Sequence, residues 1–259
     1  MTKLNNILYD LFESKAEEVK IEILSLGLGY TAVTTSDGGM GVAYTCFDSK
    51  NTCSVIKNYH DYEGRPAVDL LEKIKSMNTI ERSMALALIN ALNYEEALLL
   101  PKDKNNDIMF DKFNIGKGTR VAMVGFFGPL VKIFKERDVL LEIIDIARCL
   151  GRKEDFYEKL GSWADILLLT STSILNNTTE EILGTVGRDV KAILLGPSTP
   201  MVAEAFGHLP VHMLAGTVPL EKEKVLKAIR HGTGTPVIHR FSRKSFCLSP
   251  KLIPEVPNL

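Results

Sequence analysis

The sequence contains no apolar run long enough to cross a bilayer, and neither sign of charge dominates it. Its 259 residues include 31 lysines and arginines against 32 aspartates and glutamates, so the formal net charge is -1. A chain with this balance lacks the broad positive field that attracts nucleic acids or anionic membranes. We therefore expect neither nucleic acid nor a membrane among its partners.

Cysteine is also scarce, and the common metal-binding and catalytic motifs are absent. The four cysteines are Cys46, Cys53, Cys149 and Cys247, without a Cys-x-x-Cys pair. Four cysteines in a chain of this length do not make a disulfide framework. The five histidines follow no metal-ligand spacing, and no Gly-x-Ser-x-Gly, Walker or His-Glu-x-x-His motif occurs. Whether the protein is an enzyme, and whether it binds a metal, therefore stays open.

Polar residues near the start of the chain argue against an export signal. Tyr9, Asp10 and Glu13 fall where the apolar core of such a signal would lie. We therefore expect a cytoplasmic protein, and the sequence does not indicate its oligomeric state.

The first hundred residues predict an α+β domain. Apolar residues recur at helical spacing in the first segment, and short β-rich segments follow it. Ser36-Asp37-Gly38-Gly39 predicts a hairpin turn, because glycine adopts the positive φ that such turns require. The predicted elements are helix Leu4–Val19, strands Val19–Leu28, Tyr30–Thr35 and Gly41–Phe47, and helices Ala67–Lys75 and Ile80–Leu92.

A polar stretch separates this half from the next. Residues 101–107 read Pro-Lys-Asp-Lys-Asn-Asn-Asp, which cannot bury apolar surface. We predict a linker at 101–117 between a domain at 1–100 and a domain at 118–259. Two such units would fold separately and meet at a movable interface.

The second half predicts a Rossmann-like parallel sheet, so the fold class of the whole chain is α/β. Its apolar runs lack alternation, as is typical of strands buried on both faces, and helical segments lie between them. The predicted strands are Val121–Val124, Val139–Ile144, Ile166–Leu169, Ala192–Leu195 and Val211–Leu214. The predicted helices are Pro129–Lys135, Thr179–Val186, Met201–Phe206 and Glu221–Ile229.

The loops that follow these strands contain the candidate ligand-binding residues. Ligands of open parallel sheets bind beyond the carboxyl ends of the strands, where four loops here are rich in small, hydroxyl or amide residues. The candidates are Gly125, Phe126, Thr170, Thr172, Asn176, Ser198, Thr199, Gly216 and Thr217. We expect Tyr30, Thr31 and Asp37 to close the pocket from the other side.

The chemistry of these loops favours a polar small molecule as the partner. Neutral hydroxyls and amides orient such a ligand well but are poor ligands for a bare soft metal. A metal would then arrive bound to an organic chelator. The same residue types also cap helices, so capping alone would explain Thr178 or Thr179 near Glu181, and Ser198 or Thr199 before Pro200.

An alternative interpretation is a nucleotide-cofactor enzyme. Gly125-x-x-Gly128 resembles part of a dinucleotide-binding turn, and Asp145 lies about twenty residues further on, where a ribose-binding acid would lie. However, Phe126 and Phe127 crowd the backbone that a pyrophosphate would approach. We therefore expect dinucleotides to bind weakly or not at all.

Several segments together resemble the family called putative heavy-metal chelation, over nearly the whole chain. They are Gly29–Val33, Glu81–Leu92, Val121–Gly125, Ala164–Thr170, Leu195–Met201 and Ala215–Thr217. The resemblance implies an enolase N-terminal-like domain joined to a Rossmann-like domain. It also implies a site between the domains for a metal-chelating small molecule in heavy-metal homeostasis.

This chain departs from the family pattern in one loop, where it has Thr170-Ser171-Thr172 and Asn176-Asn177-Thr178 instead of Thr-Gly-Thr and Asn-Gly-Thr. Ser171 adopts a left-handed backbone less readily than glycine, so the shape of the loop and the size of the ligand stay open. Three hypotheses remain: a small-molecule-binding protein or enzyme, a nucleotide-dependent enzyme, and a scaffold whose cleft is only a domain interface.

Overall fold

The computed structural model describes residues 2–47, 56 and 59–249, and its first half is an α+β unit. Its elements are α1 (Lys3–Glu18), β1 (Ile21–Leu26), β2 (Tyr30–Thr35), β3 (Met40–Tyr44), α2 (Val68–Leu71), α3 (Thr79–Leu92) and α4 (Tyr94–Leu99). The three strands form an antiparallel sheet in the order β1-β2-β3. The predicted hairpin turn connects β2 to β3, and Gly38 within it has φ +83°. A 3₁₀ turn at Glu72–Lys75 continues α2.

The second half alternates helices and strands around a six-stranded sheet. Its helices are α5 (Asp107–Lys112), α6 (Gly128–Glu136), α7 (Lys153–Ser162), α8 (Thr172–Leu175), α9 (Thr179–Gly184), α10 (Lys222–Arg230) and α11 (Thr235–Ile238). Its strands are β4 (Arg120–Val124), β5 (Leu140–Ile144), β6 (Ile166–Thr170), β7 (Lys191–Leu195), β8 (Val211–Pro219) and β9 (Ser242–Leu248). Short 3₁₀ helices lie at Ile146–Arg148, Ala203–Phe206 and His239–Phe241.

The sheet order β5-β4-β6-β7-β8-β9 confirms the predicted α/β fold class. The first five strands are parallel, and β9 runs antiparallel to β8. The apolar runs without alternation form the inner strands, whose side chains are buried on both faces. The sequence analysis did not predict β9, and the predicted helix Met201–Phe206 is only a 3₁₀ turn. Within the described ranges, no helix combines the length and the hydropathy needed to cross a membrane.

Helix α3 lies between the two sheets and is almost completely buried, at 12 of its 14 residues. On one side it packs on β2 and β3, and on the other it contacts α8. The contact with β3 is so close that a Cβ atom on Gly41 would overlap the carbonyl oxygen of Ala87. The helix backbone therefore rests directly on the strand, an approach that only glycine permits.

The buried core is shared between the halves. One cluster of buried side chains contains Leu8 from α1, Leu88 from α3 and Leu167 from β6. This cluster therefore contains residues from both predicted domains, 1–100 and 118–259. The division into these two domains stays a prediction.

The predicted linker 101–117 contains buried apolar side chains beyond its polar run 101–107, and its role as a linker stays a prediction. Met109 and Phe110 in α5 are only 2% and 3% exposed, and the Phe110 ring contacts Phe134 edge to face at 5.7 Å. The preceding residues pair with β9, since Phe246 N–H donates to Pro101 O and Asp103 N–H donates to Lys244 O. The physical reason lies in the sequence, because the polar run ends at Asp107 and Ile-Met-Phe follows it.

We predict that Gly41→Ala lowers the free energy of unfolding by about 3 kcal/mol, because the added methyl group meets backbone atoms that cannot rotate away. Urea unfolding measures the change. Gly184→Ala is the matched control, since that glycine ends α9 beside open space and should tolerate alanine or gain about 0.5–1 kcal/mol. Equal effects of the two substitutions would contradict the close packing of α3 on β3.

We also predict that Phe110→Ala costs about 3–5 kcal/mol, as expected for a large buried side chain. Ile108→Ala serves as the control, because Ile108 lies in the same helix but is 40% exposed and should cost about 1 kcal/mol or less. A Phe110 variant as stable as the unmodified chain would contradict the packing of α5 against Phe134.

Candidate functional site

The ends of β4, β6 and β7 form one continuous edge at the carboxyl side of the parallel sheet. A Cβ on Gly125 would lie 3.0 Å from Thr170 Cβ, and a Cβ on Gly196 would lie 2.8 Å from Ser171 Oγ. Both glycines have positive φ, +86° and +132°, which disfavours any other residue. The structure therefore brings the loops after these three strands together, with bare backbone at two positions between the hydroxyl side chains.

Thr170 and Thr172 are the partly exposed hydroxyl groups of this edge. Their Oγ1 atoms lie 3.0 Å apart and share one hydrogen bond. Thr172 also begins α8 and donates its N–H weakly to Thr170 Oγ1, at 3.4 Å. A threonine hydroxyl offers one donor and two acceptor positions, so the pair retains capacity for a ligand.

Phe126 flanks the same edge and is 38% exposed. Its ring covers the start of α6, because a Cβ on Gly128 would lie 3.4 Å from Phe126 Cε1. The Arg148 guanidinium lies 5.1 Å from the ring centre and forms a 3.1 Å ion pair with Asp145. Asp145 also accepts the Arg148 N–H, so its carboxylate is already occupied. This arrangement covers the turn that a dinucleotide would need to approach.

Asn176 caps the chain locally. Its Oδ1 accepts hydrogen bonds from the N–H and the hydroxyl of Thr178, at 3.2 and 2.6 Å. The side chain is exposed at the end of α8. Capping therefore explains this residue.

Ser198 and Thr199 lie in the interface between the halves. Ser198 Oγ accepts the N–H of Tyr44 in β3 at 2.8 Å. Thr199 Oγ1 is buried and has no hydrogen-bond partner among the residues that the structure describes. Thr199 lines a cavity of about 10 Å³ between α3 and β8, which has room for one water molecule.

Gly216 is buried in the same interface, and Tyr30 and Thr31 are buried in the first sheet. A Cβ on Gly216 would lie 3.0 Å from Thr199 O, so the loop after β7 packs directly on β8. Tyr30 Oη shares a 2.6 Å hydrogen bond with Thr235 Oγ1, and Thr31 Oγ1 shares one of 3.0 Å with Thr45 Oγ1. These groups hold elements together, whereas Thr170 and Thr172 remain accessible.

Asp37 makes its contacts within the β2–β3 turn and with α1, and its place in the pocket wall stays a prediction. It lies in the β2–β3 turn, at the opposite end of β2 from Tyr30, and pairs with Lys15 at 3.1 Å. Partial burial raises the pKa of Asp37, but hydrogen bonds from Thr35, Lys15 and Gly39 together lower it below its usual value. The aspartate thus stabilises the hairpin turn.

Helix α3 positions the loops from the side of the first half. Asn90 Nδ2 donates to Val42 O at 2.9 Å and to Ser198 O at 3.4 Å, which links β3 to the loop after β7. Arg82 Nε donates to Leu175 O at 2.6 Å, at the end of α8. The sequence predicted this helix but not its contacts with the loops, because Asn90 and Ser198 are 108 positions apart and Arg82 and Leu175 are 93 apart.

Thr217 has two polar neighbours that the sequence analysis missed. Its Oγ1 lies 3.1 Å from His239 Nε2, and Lys244 in β9 is paired directly opposite it. Burial, and to a lesser extent the charge of Lys244, lowers the pKa of His239 to about 4, so the imidazole is neutral near pH 7. The alternation of Lys244, Phe246 and Leu248 is a weak strand signal that could have indicated β9.

The donor set at the edge suits an organic molecule better than a bare metal. Its accessible groups are hydroxyls, which are weak ligands for soft metal ions. In the part of the chain that the structure describes, no three His, Cys, Asp or Glu side chains are grouped as a metal site requires.

Two family models match the chain, and both are described as "Putative heavy-metal chelation". One covers residues 108–248 and the other covers residues 9–93. An uncharacterized protein from Methanocaldococcus jannaschii is 22% identical over 250 residues, which are 91% of this chain and 92% of that protein.

Two crystal structures of proteins of unknown function from the DUF364 family share the fold. The protein from Pyrococcus horikoshii has a TM-score of 0.77 at 23% identity and covers 95% of this chain and 99% of its own. The protein from Desulfitobacterium hafniense has a TM-score of 0.72 at 18% identity, with 93% and 98% covered. Since the first family model spans more than half of the chain, the protein belongs to the family described as "Putative heavy-metal chelation".

Proposed function

We propose that the protein binds a small polar organic ligand at the carboxyl edge of its parallel sheet, and that this ligand itself carries a heavy-metal ion. The observation behind the proposal is the accessible pair of hydroxyls on Thr170 and Thr172, next to the bare backbone of Gly125. Hydroxyls in this position can donate and accept hydrogen bonds, while Gly125 lets the turn after β4 pack closely against Thr170.

Two observations support a metal carried by the ligand: the family description and the chemistry of the carboxyl edge. The family description names heavy-metal chelation, and neutral hydroxyls are better suited to a chelator than to a free soft ion. Small-molecule sites of open α/β sheets lie at this edge, which also supports the placement. The proposal leaves open whether the bound ligand reacts.

The proposed partner is therefore a small molecule and neither a nucleic acid nor a membrane, in keeping with the near-zero net charge. The proposed location is the cytoplasm.

We predict that native mass spectrometry of the full chain, purified without added chelators, detects an organic mass retained together with a metal ion. Thr172→Val removes one hydrogen-bonding hydroxyl while keeping a side chain of similar volume. It should weaken retention of the organic ligand about 2- to 12-fold, which corresponds to about 0.5–1.5 kcal/mol. The thermal midpoint should hardly change, because Thr172 is partly exposed.

Thr178→Val is the control for this experiment. Its hydroxyl lies in the same loop but bonds to Asn176, so the substitution should leave retention unchanged. A metal retained without an organic mass, or equal retention in the two variants, would count against the proposal.

The nucleotide alternative is tested by titrating NAD into the full chain in a calorimeter. We expect no binding tighter than millimolar, because Phe126 covers the start of α6 and Arg148 holds Asp145. Micromolar binding that disappears in Asp145→Ala would favour the alternative function.

A further inference from the structure

Thr217, His239 and Lys244 form a polar group on the sheet face that carries Thr170. In the pairing register Thr170 lies beside Leu195, Leu195 beside Ala215, and Ala215 beside Phe246. Residues paired across a sheet share a face, and so do residues two apart along a strand. Thr217 and its partner Lys244 therefore lie on that face, one step closer to the carboxyl edge. We call these three residues the Lys244 corner.

The Lys244 ammonium group lacks a close counter-ion. No carboxylate of the residues described, up to position 249, lies within the 4.0 Å of Nζ that defines an ion pair. Asp103 is near enough to raise the pKa of Lys244, but its carboxylate accepts the N–H groups of Ile108 and Met109. Burial is the larger effect and lowers the pKa of Lys244 below its usual value. An anion placed beside Nζ would stabilise this half-buried charge.

The hydrogen bond between Thr217 and His239 leaves one proton for a ligand. If the hydroxyl donates to Nε2, the imidazole still has an N–H at Nδ1, and if Nε2–H donates, the hydroxyl proton remains. The neutral imidazole adds no second positive charge. The corner thus offers one cation and one neutral donor, which match the single charge and two oxygens of a carboxylate. The negative charge of Asp103 disfavours phosphate, which places up to two negative charges on the bound group itself, whereas each carboxylate group of an organic acid carries only one.

We propose that the Lys244 corner binds a carboxylate group of the ligand, so that the ligand is an organic acid. This inference rests on the proposed function, since the corner and the Thr170–Thr172 pair would hold opposite ends of one molecule. Thr170 and Thr217 are separated by two strand spacings and one two-residue step, which corresponds to about 10–12 Å. A ligand of that length carries a carboxylate at one end and hydrogen-bonding groups at the other.

The test follows the Lys244 Cε resonance in the full chain labelled with ¹³C-lysine, with citrate as the carboxylate probe and inorganic phosphate as the second anion. The resonance is assigned from Lys244→Arg. Citrate should shift it and raise the pKa of Lys244 by about 0.5–1 unit, since a bound anion favours the charged form. Phosphate should have a clearly smaller effect.

Two variants complete the design. Calorimetric titration with citrate compares the variants: Thr217→Val should weaken binding about 2- to 12-fold, and Lys244→Met should abolish it. Lys132→Met is the control, because Lys132 is 81% exposed on α6 and should leave citrate binding unchanged. Thermal midpoints of all variants, including Lys244→Arg, show whether each one folds.

The outcomes separate this inference from the proposed function. An unmoved Lys244 resonance in millimolar citrate, or phosphate binding as tightly as citrate, overturns the carboxylate assignment. If retention in the mass spectrometer still depends on Thr172, the proposed function survives that result. If citrate binds at Lys244 but no ligand is retained, the corner stands and the proposed function fails.

Discussion

The structure depends on the packing of α3 directly against the backbone of β3. Gly41 permits this approach, and without it the helix would move away from the strand by the width of a methyl group. The same helix holds the loop after β7 through Asn90 and the end of α8 through Arg82. Because both loops belong to the second sheet, the geometry of the candidate site is set by a contact inside the first half of the chain.

This arrangement divides the polar residues of the carboxyl edge into two groups. Ser198 and Thr199 are covered by β3 and α3 and fix the second half against the first. Thr170 and Thr172 remain partly exposed at the ends of neighbouring elements. The hydroxyl groups of the two loops thus differ in role, because the first half covers Ser198 and Thr199 but leaves Thr170 and Thr172 partly exposed.

The order of strands and helices, and hence the edge at which ligands bind, could be predicted from the sequence because both follow from local periodicity. The face that each hydroxyl occupies could not, since it depends on the register of single residues and on which elements cover each face. Thr170 and the adjacent Ser171 show this, with the first partly exposed and the second buried. Lys244 was missed because it meets Thr217 through pairing with β9, whose local signal is weak. His239 was missed because it reaches Thr217 through a side-chain hydrogen bond from the 3₁₀ turn before that strand.

The pairing of residues 101–103 with β9 also affects how the protein meets copies of itself. A strand at the border of a sheet exposes unpaired N–H and C=O groups, and these are a template for adding a strand from another molecule. Here the connecting chain between the two halves occupies that border, with Lys102 bridged to Ser245. The crossing segment therefore protects this side of the sheet from edge-to-edge aggregation, at a position beside the proposed carboxylate site.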